Sequence, residues 1–304
     1  MHFEIKILGS GSATPAWGRH LSSQILNIEH QYLMIDCGEA TQFRVIYEKV
    51  KVKKLNHIFI SHLHGDHYFG IFGLLSTLNL NGRKNDLHIY GPRGLDEVIV
   101  TNLRISNSVL GYKLIFHEIN LEKNEKSKTL LENDTFKITA FPLCHRITCF
   151  GFLFTAQSKT SKINAANLPK NFPFELIREL KAGNDVRWEG EDFLSSKLTY
   201  TKEEKKEYAY CTDTIIQEGI IPIIKGVDLL YHEATFMEDN VHRAKTTFHS
   251  TASQAGKFAA QAQVKKLIVG HFSSRYKELD LLLEEAQQYF ENTELALEGR
   301  NFTI

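Results

Sequence analysis

The stretch Ser61-His62-Leu63-His64-Gly65-Asp66-His67, an HxHxDH run, constrains this chain more than any other. It gathers three imidazoles and a carboxylate into six positions. The apolar run before it, Leu55 to Ile60, reads as a buried strand, and the spacing of Tyr68 to Asn79 predicts a helix. A strand-to-helix loop lets side chains converge. Neutral imidazole nitrogen with carboxylate oxygen is the donor set that borderline and hard cations take. Alternate residues of a short loop share a side, which pairs His62 with His64 and turns Asp66 and His67 toward a second point nearby. Two adjacent metal ions are therefore expected, an arrangement that clamps both the attacking and the leaving oxygen in phosphoryl chemistry. The plainer alternative is a solvated loop that happens to hold three histidines. Four ligand-type residues at this spacing speak against it.

The rest of the chain supplies a framework for such a site. Strands are expected at Phe3–Leu8, Ser23–Ile28, Tyr32–Ile35, Leu87–Tyr90, Phe136–Phe141, Ile147–Thr155, Val227–His232 and Lys266–Val269. Helices are expected at Ala40–Tyr47, Leu95–Ile105, Ser250–Ala262 and Tyr276–Phe290. Strands alternating with helices in two similar halves predict an α/β fold with sheets covered by helices. The pattern weakens in the polar, lysine-rich stretch after Ala156, so residues 156–200 are read as an insertion in one compact domain spanning 1–304. A formal net charge of zero gives no argument for a nucleic-acid partner from total charge, so any basic surface must be local. The four cysteines, Cys37, Cys144, Cys149 and Cys211, show no CxxC and fit reduced thiols better than a disulfide framework. The charged start of the chain argues against a signal peptide, and no apolar run approaches the roughly 20 residues of a membrane helix. A soluble cytoplasmic protein is expected.

Metal ligands also come from distant positions. His145 follows the apolar strand Ile138–Phe141, Asp213 follows Tyr208–Cys211, and His271 follows Leu267–Gly270. All three fall at strand ends, where active-site loops gather in α/β folds. Each alone would read as a structural residue, but together with HxHxDH they read as ligands. His57 lies inside its strand and reads as core or as a partner to a ligand. His2, His20, His30, His88, His117 and His242 read as surface or structural.

Taken together these residues resemble the metallo-β-lactamase superfamily, and within it the ribonuclease Z family of tRNA 3′-end processing endonucleases. The broad likeness lies in HxHxDH followed by later His, Asp and His. The narrower one lies in Asp36-Cys37-Gly38-Glu39-Ala40-Thr41-Gln42, His232-Glu233-Ala234-Thr235, His249-Ser250-Thr251 and His271-Phe272-Ser273-Ser274-Arg275-Tyr276. The resemblance implies an αβ/βα sandwich of two sheets between helices, a homodimer, and an arm near 156–200 that grips precursor tRNA. It also implies two zinc ions: one on His62, His64 and His145, the other on Asp66, His67 and His271, with Asp213 bridging. The loop Pro15-Ala16-Trp17-Gly18-Arg19-His20 and the step Asn171-Phe172-Pro173-Phe174 depart from the family pattern. These departures bear on substrate contacts and leave the metal site alone.

Roles follow as expectations. Asp66 orients the attacking water and takes its proton. His249, supported by Glu233, protonates the leaving oxygen, unless it merely caps the helix near Ser250. Arg275 with Ser273 holds a phosphate, unless it pairs with a helix acid. Asp36 orients a metal-bound histidine or closes the hairpin. In the arm, Lys159, Lys162 and Lys170, with Arg178 and Lys181, outnumber Glu175 and Glu179 and offer phosphate contacts. The rival readings are a small-molecule phosphodiesterase on the same scaffold, a non-catalytic RNA-binding relative, and a di-iron redox protein.

Overall fold

The structure is a computed structural model and describes residues 1–16, 18–122 and 124–304; Trp17, named above in the 15–20 loop, lies outside them. The chain divides into two compact units, Gln157–Lys205 with Met1, and the remainder. In chain order the strands are β1 (Phe3–Gly9), β2 (Ser23–Ile28), β3 (Gln31–Ile35), β4 (Leu55–Phe59), β5 (Leu87–Gly91) and β6 (Leu114–Glu118). They continue with β7 (Lys128–Glu132), β8 (Phe136–Leu143), β9 (Cys149–Ile163), β10 (Val186–Trp188), β11 (Glu191–Phe193) and β12 (Thr199–Cys211). The last are β13 (Leu229–Glu233), β14 (Leu267–Gly270), β15 (Thr293–Leu295) and β16 (Asn301–Thr303).

The larger unit is built on two seven-stranded sheets, ordered β16-β1-β2-β3-β4-β5-β6 and β15-β14-β13-β12-β9-β8-β7. Each is antiparallel on one side, through β1-β2-β3 and β7-β8-β9, and parallel on the other, through β3-β4-β5-β6 and β12-β13-β14-β15. The period-2 alternation of the strands decides what each face meets. Phe3, Ile5, Ile7, Leu33, Ile35 and Phe59 pack against Ile138, Phe152, Phe154, Tyr208, Tyr231 and Ile268, forming one core between the sheets. The intervening residues face outward. Met34, Ile58 and Ile60 meet the helix Ile71–Leu80, and Leu230, Leu267 and Val269 meet the helices Ala252–Gln261 and Asp280–Gln287. The expected sandwich of two sheets between helices is what forms.

Three elements differ from expectation. The helix expected over 68–79 breaks into Gly65–Tyr68 and Ile71–Leu80, because Gly70 sits against the turn after β3: a Cβ there would lie 1.9 Å from the Gly38 carbonyl oxygen. The last helix begins at Asp280 rather than Tyr276. Tyr276 is used otherwise, its carbonyl accepting from Arg19 Nη2 at 2.6 Å and its hydroxyl from Met237 N at 3.0 Å. The strand expected to end at Thr155 runs on to Ile163.

The smaller unit is more ordered than its polar sequence suggests. It contains the helix Phe174–Ala182 and the hairpin β10-β11. Phe172 packs on Phe193 and Trp188, with ring centroids 4.7 and 5.2 Å away. Ser195 ties the unit together, its hydroxyl donating to the Leu180 carbonyl and its N–H to Asp185, both at 2.8 Å. Lys159 pairs with Glu203 at 3.0 Å, and Asp185, Glu189, Glu191, Asp192, Glu203 and Glu204 nearly cancel the basic excess of 157–181.

Among the described residues all four cysteines are free, Cys37, Cys149 and Cys211 being buried, and no helix is long and apolar enough to cross a membrane.

Candidate metal centre

The turn after β3, the loops after β4, β8, β12 and β14, and the end of β13 bring their polar residues to one place. In the first cluster the donor atoms of His62, His64, His145 and Asp213 all lie within 4.8 Å of one another. His62 Nε2 and His145 Nε2 stand 3.0 and 3.1 Å from His64 Nδ1, and 3.5 and 3.7 Å from Asp213 Oδ2. In the second cluster, formed by Asp66, His67 and His271, His67 Nε2 and His271 Nε2 are each 3.2 Å from Asp213 Oδ1 and 3.5 Å from Asp66 Oδ2. Asp213 thus turns one oxygen to each cluster.

The far sides of these rings are anchored. His67 Nδ1 lies 2.7 Å from Asp36 Oδ2, and His62 Nδ1 lies 3.0 Å from Ser61 Oγ. His145 Nδ1 donates to the Phe248 carbonyl at 3.0 Å. The Thr235 hydroxyl donates to Glu233 at 2.5 Å, so it accepts from His271 Nδ1 at 2.9 Å. A hydrogen bond to Nδ1 selects the tautomer that leaves Nε2 bare as a ligand. Four imidazoles therefore point bare nitrogens at two carboxylates, which fits a divalent metal of the borderline class. Charge tells the same story. Burial works against an ionised Asp213, yet His271, His67 and His62 hold it well below the usual carboxylate range. Burial also works against a charged His67, but Asp213, Asp66 and Asp36 push it well above its ordinary value. The pocket calls for positive charge.

Asp36 is the hub behind the ligands. Fully buried, it accepts from Ser61 N at 2.7 Å, Ser61 Oγ at 2.9 Å and the Tyr210 hydroxyl at 2.8 Å, besides meeting His67. It sits at φ +54°, and His271 at φ +58°, a left-handed conformation that costs a non-glycine residue about 1–2 kcal/mol. Such strain persists where surrounding bonds over-determine it, as they do here. Asp36→Asn is expected to weaken metal binding by about 10- to 100-fold, read by competition with a chelating dye. The native fold by circular dichroism should remain.

His249 does not cap the following helix: Thr251 does, in a capping box with Gln254. His249 Nδ1 instead lies 2.9 Å from Glu233 Oε1, which also accepts from Thr214 N at 2.7 Å. Burial lowers the His249 imidazole, but the Glu233 carboxylate and its hydrogen bond outweigh it and push the group up to about 9.

The cluster opens into a cavity of about 400 Å³ lined by His64, Asp66, Asp213, His249 and His271, together with Glu39, Phe69 and Arg146. Glu39, Phe69 and Arg146 were not singled out from sequence, although Arg146 directly follows a candidate ligand and Phe69 lies two residues after one. Arg275 and Ser273 are not in that lining. The Arg275 guanidinium lies over the Phe236 ring and donates to Ser273 Oγ at 3.2 Å and Asn240 Oδ1 at 2.9 Å, with no helix acid as partner among the described residues.

Two helix-flanked sheets with a His/Asp cluster at their strand ends define the metallo-β-lactamase fold. Solved structures agree: human tRNase Z, short form, aligns with TM-score 0.72 and 27% identity over 98% of both chains. The metallo-β-lactamase fold protein YhfI of Bacillus subtilis shares the fold at TM-score 0.69 and 19% identity, covering 100% of each chain. The chain belongs to the ribonuclease Z family, a family of enzymes. It is 47% identical to ribonuclease Z of Cytophaga hutchinsonii over 100% of its own length and 97% of that protein. It is 44% identical to that of Bacteroides fragilis over 98% and 97%. Residues 3–161 also match the family model described as anti-Pycsar protein Apyc1.

Proposed function

We propose that the protein is a zinc-dependent endoribonuclease that removes the 3′ trailer from tRNA precursors, leaving a 3′-hydroxyl on the tRNA and a 5′-phosphate on the trailer. The observation that carries this reading is the convergence of five imidazoles and the Asp66 carboxylate around Asp213, in a chain whose full-length relatives are named ribonuclease Z. His62, His64 and His145 would hold one zinc ion, Asp66, His67 and His271 the other, and Asp213 both. Ions bound there acidify water and offset charge building on a phosphate.

The protein's own groups do the rest. Asp66, fixed by the Ala13 N–H at 2.7 Å, orients the attacking water and takes its proton on a carboxylate oxygen. His249 donates its Nε2 proton to the departing 3′-oxygen of the tRNA, leaving the phosphate on the trailer's 5′-oxygen, while Glu233 holds the ring through Nδ1. Arg275 and Ser273 contact RNA phosphate outside the cavity. The complete donor set argues against a non-catalytic relative, in which at least one ligand would be lost.

Lys159, Lys162 and Lys170 make phosphate contacts from the smaller unit, and folded tRNA is read by shape. The protein works as a cytoplasmic homodimer. Deleting residues 157–199 is expected to weaken precursor tRNA binding at least about ten-fold and to flatten its salt dependence, while bis-p-nitrophenyl phosphate hydrolysis continues. Filter binding across a salt series reads the first two effects. Unchanged affinity would remove the arm from substrate recognition. Product mapping on a trailer-bearing precursor tests the reading as a whole.

A further inference from the structure

Phe69 and Arg146 line the cavity and, like Glu39, are used by no step above. Phe69 follows the short helix Gly65–Tyr68 and is 55% exposed. Its ring is nonetheless positioned: it lies over Gly65, where a Cβ would stand 2.4 Å from Phe69 Cε2, and edge-on to Tyr68 with centroids 4.9 Å apart. One exposed aromatic ring is ordinary on a protein surface. This one lines the cavity that contains the metal ligands.

Arg146, next to His145, lines the same cavity. It is exposed and has no hydrogen-bond or ion-pair partner among the described residues. Other nearby arginines are engaged, Arg19 with the Ser273 and Tyr276 carbonyls and Arg275 with Ser273 and Asn240. No carboxylate of the cavity lining, Glu39 included, pairs with Arg146 among the described residues, so its planar donors are open to an anionic ligand and match phosphate.

We propose that Phe69 and Arg146 form a nucleotide subsite beside the metal cluster, Phe69 stacking an unpaired base and Arg146 holding the phosphate of the same nucleotide. The subsite rests on the phosphodiester-cleaving reading and deepens it. A base inside a duplex offers no free face to a ring, so the nucleotide flanking the cut must be single-stranded.

Calorimetric titration of the zinc-loaded protein with adenosine 5′-monophosphate and with ribose 5-phosphate tests this, because the two ligands differ only in the base. The native protein is expected to bind the nucleotide about ten-fold tighter, Phe69→Ala and Phe69→Leu to erase that preference, and Phe69→Trp to keep it. Arg146→Gln should weaken both ligands alike. Zinc content and circular dichroism establish that each variant is intact, and the leucine variant is the conservative one should alanine unfold the loop. Equal affinities in the native protein, a preference surviving in the leucine variant, or unchanged binding in Arg146→Gln would overturn the subsite. If the native protein leaves precursor tRNA uncut, the tRNA reading fails instead, and the calorimetric comparison still decides the subsite.

Discussion

Asp213→Ala should abolish turnover, by at least about 1000-fold, and empty the site of metal. The reason is geometric. Asp213 places Oδ2 within 3.5 to 3.7 Å of His62 and His145, and Oδ1 at 3.2 Å from His67 and His271. Removing it takes a donor from both clusters at once and leaves four buried imidazoles facing one another without their shared counter-charge. Elemental analysis after gel filtration should find well under one zinc per chain. A variant that retained two ions would show that Asp213 is not shared between them.

His249→Ala should do the opposite with respect to metal: retain both ions yet lose about 100- to 10,000-fold in turnover, the range of a general acid. Its donor atom lies within 4.8 Å of those of Asp213 and His271, but its ring is held by Glu233 and it belongs to neither of the two proposed ligand sets, which survive its removal. The pH dependence carries the sharper test. An acid works only while protonated, so its contribution is present below its pKa and is lost as pH rises through it. Glu233 outweighs burial and pushes His249 up to about 9. Glu233→Gln removes the raising charge, so the alkaline limb of the rate profile should move to lower pH. A profile unmoved by that substitution, with metal intact, would take His249 out of the proton transfer.

The residues of the candidate metal cluster are legible in sequence because their chemistry is dense and local. HxHxDH needs only a strand before it and a turn after it. His145, Asp213 and His271 were found by asking which histidines and acids follow apolar strands, a question the strand pattern can answer. What holds the ligands was not legible. Ser61 and Tyr210 meet at Asp36, and Thr235 links His271 to Glu233, through side chains distant in sequence that carry no pattern of their own.

The same limit explains the structural surprises. The helix after the metal loop breaks at Gly70 because two loops approach closely there, a contact no periodicity encodes. The edge strands β6, β7, β15 and β16 are short or half exposed, so their alternation is faint. In the smaller unit, Phe172, Leu180, Trp188 and Phe193 are too scattered to read as one core. Its local basic run looked more decisive in sequence than it is once the acids of the returning strand are set beside it.

Metal-dependent cutting of a tRNA precursor at the end of the mature sequence is directly measurable. The zinc-loaded protein should be incubated with a precursor carrying a 3′ trailer, beside an Asp66→Ala control, and both product ends mapped. One cut next to the discriminator base is expected, with a 3′-hydroxyl on the tRNA, a 5′-phosphate on the trailer, and no cut in the control. An intact precursor, from protein that still hydrolyses bis-p-nitrophenyl phosphate, would contradict it and assign the site to a small phosphodiester.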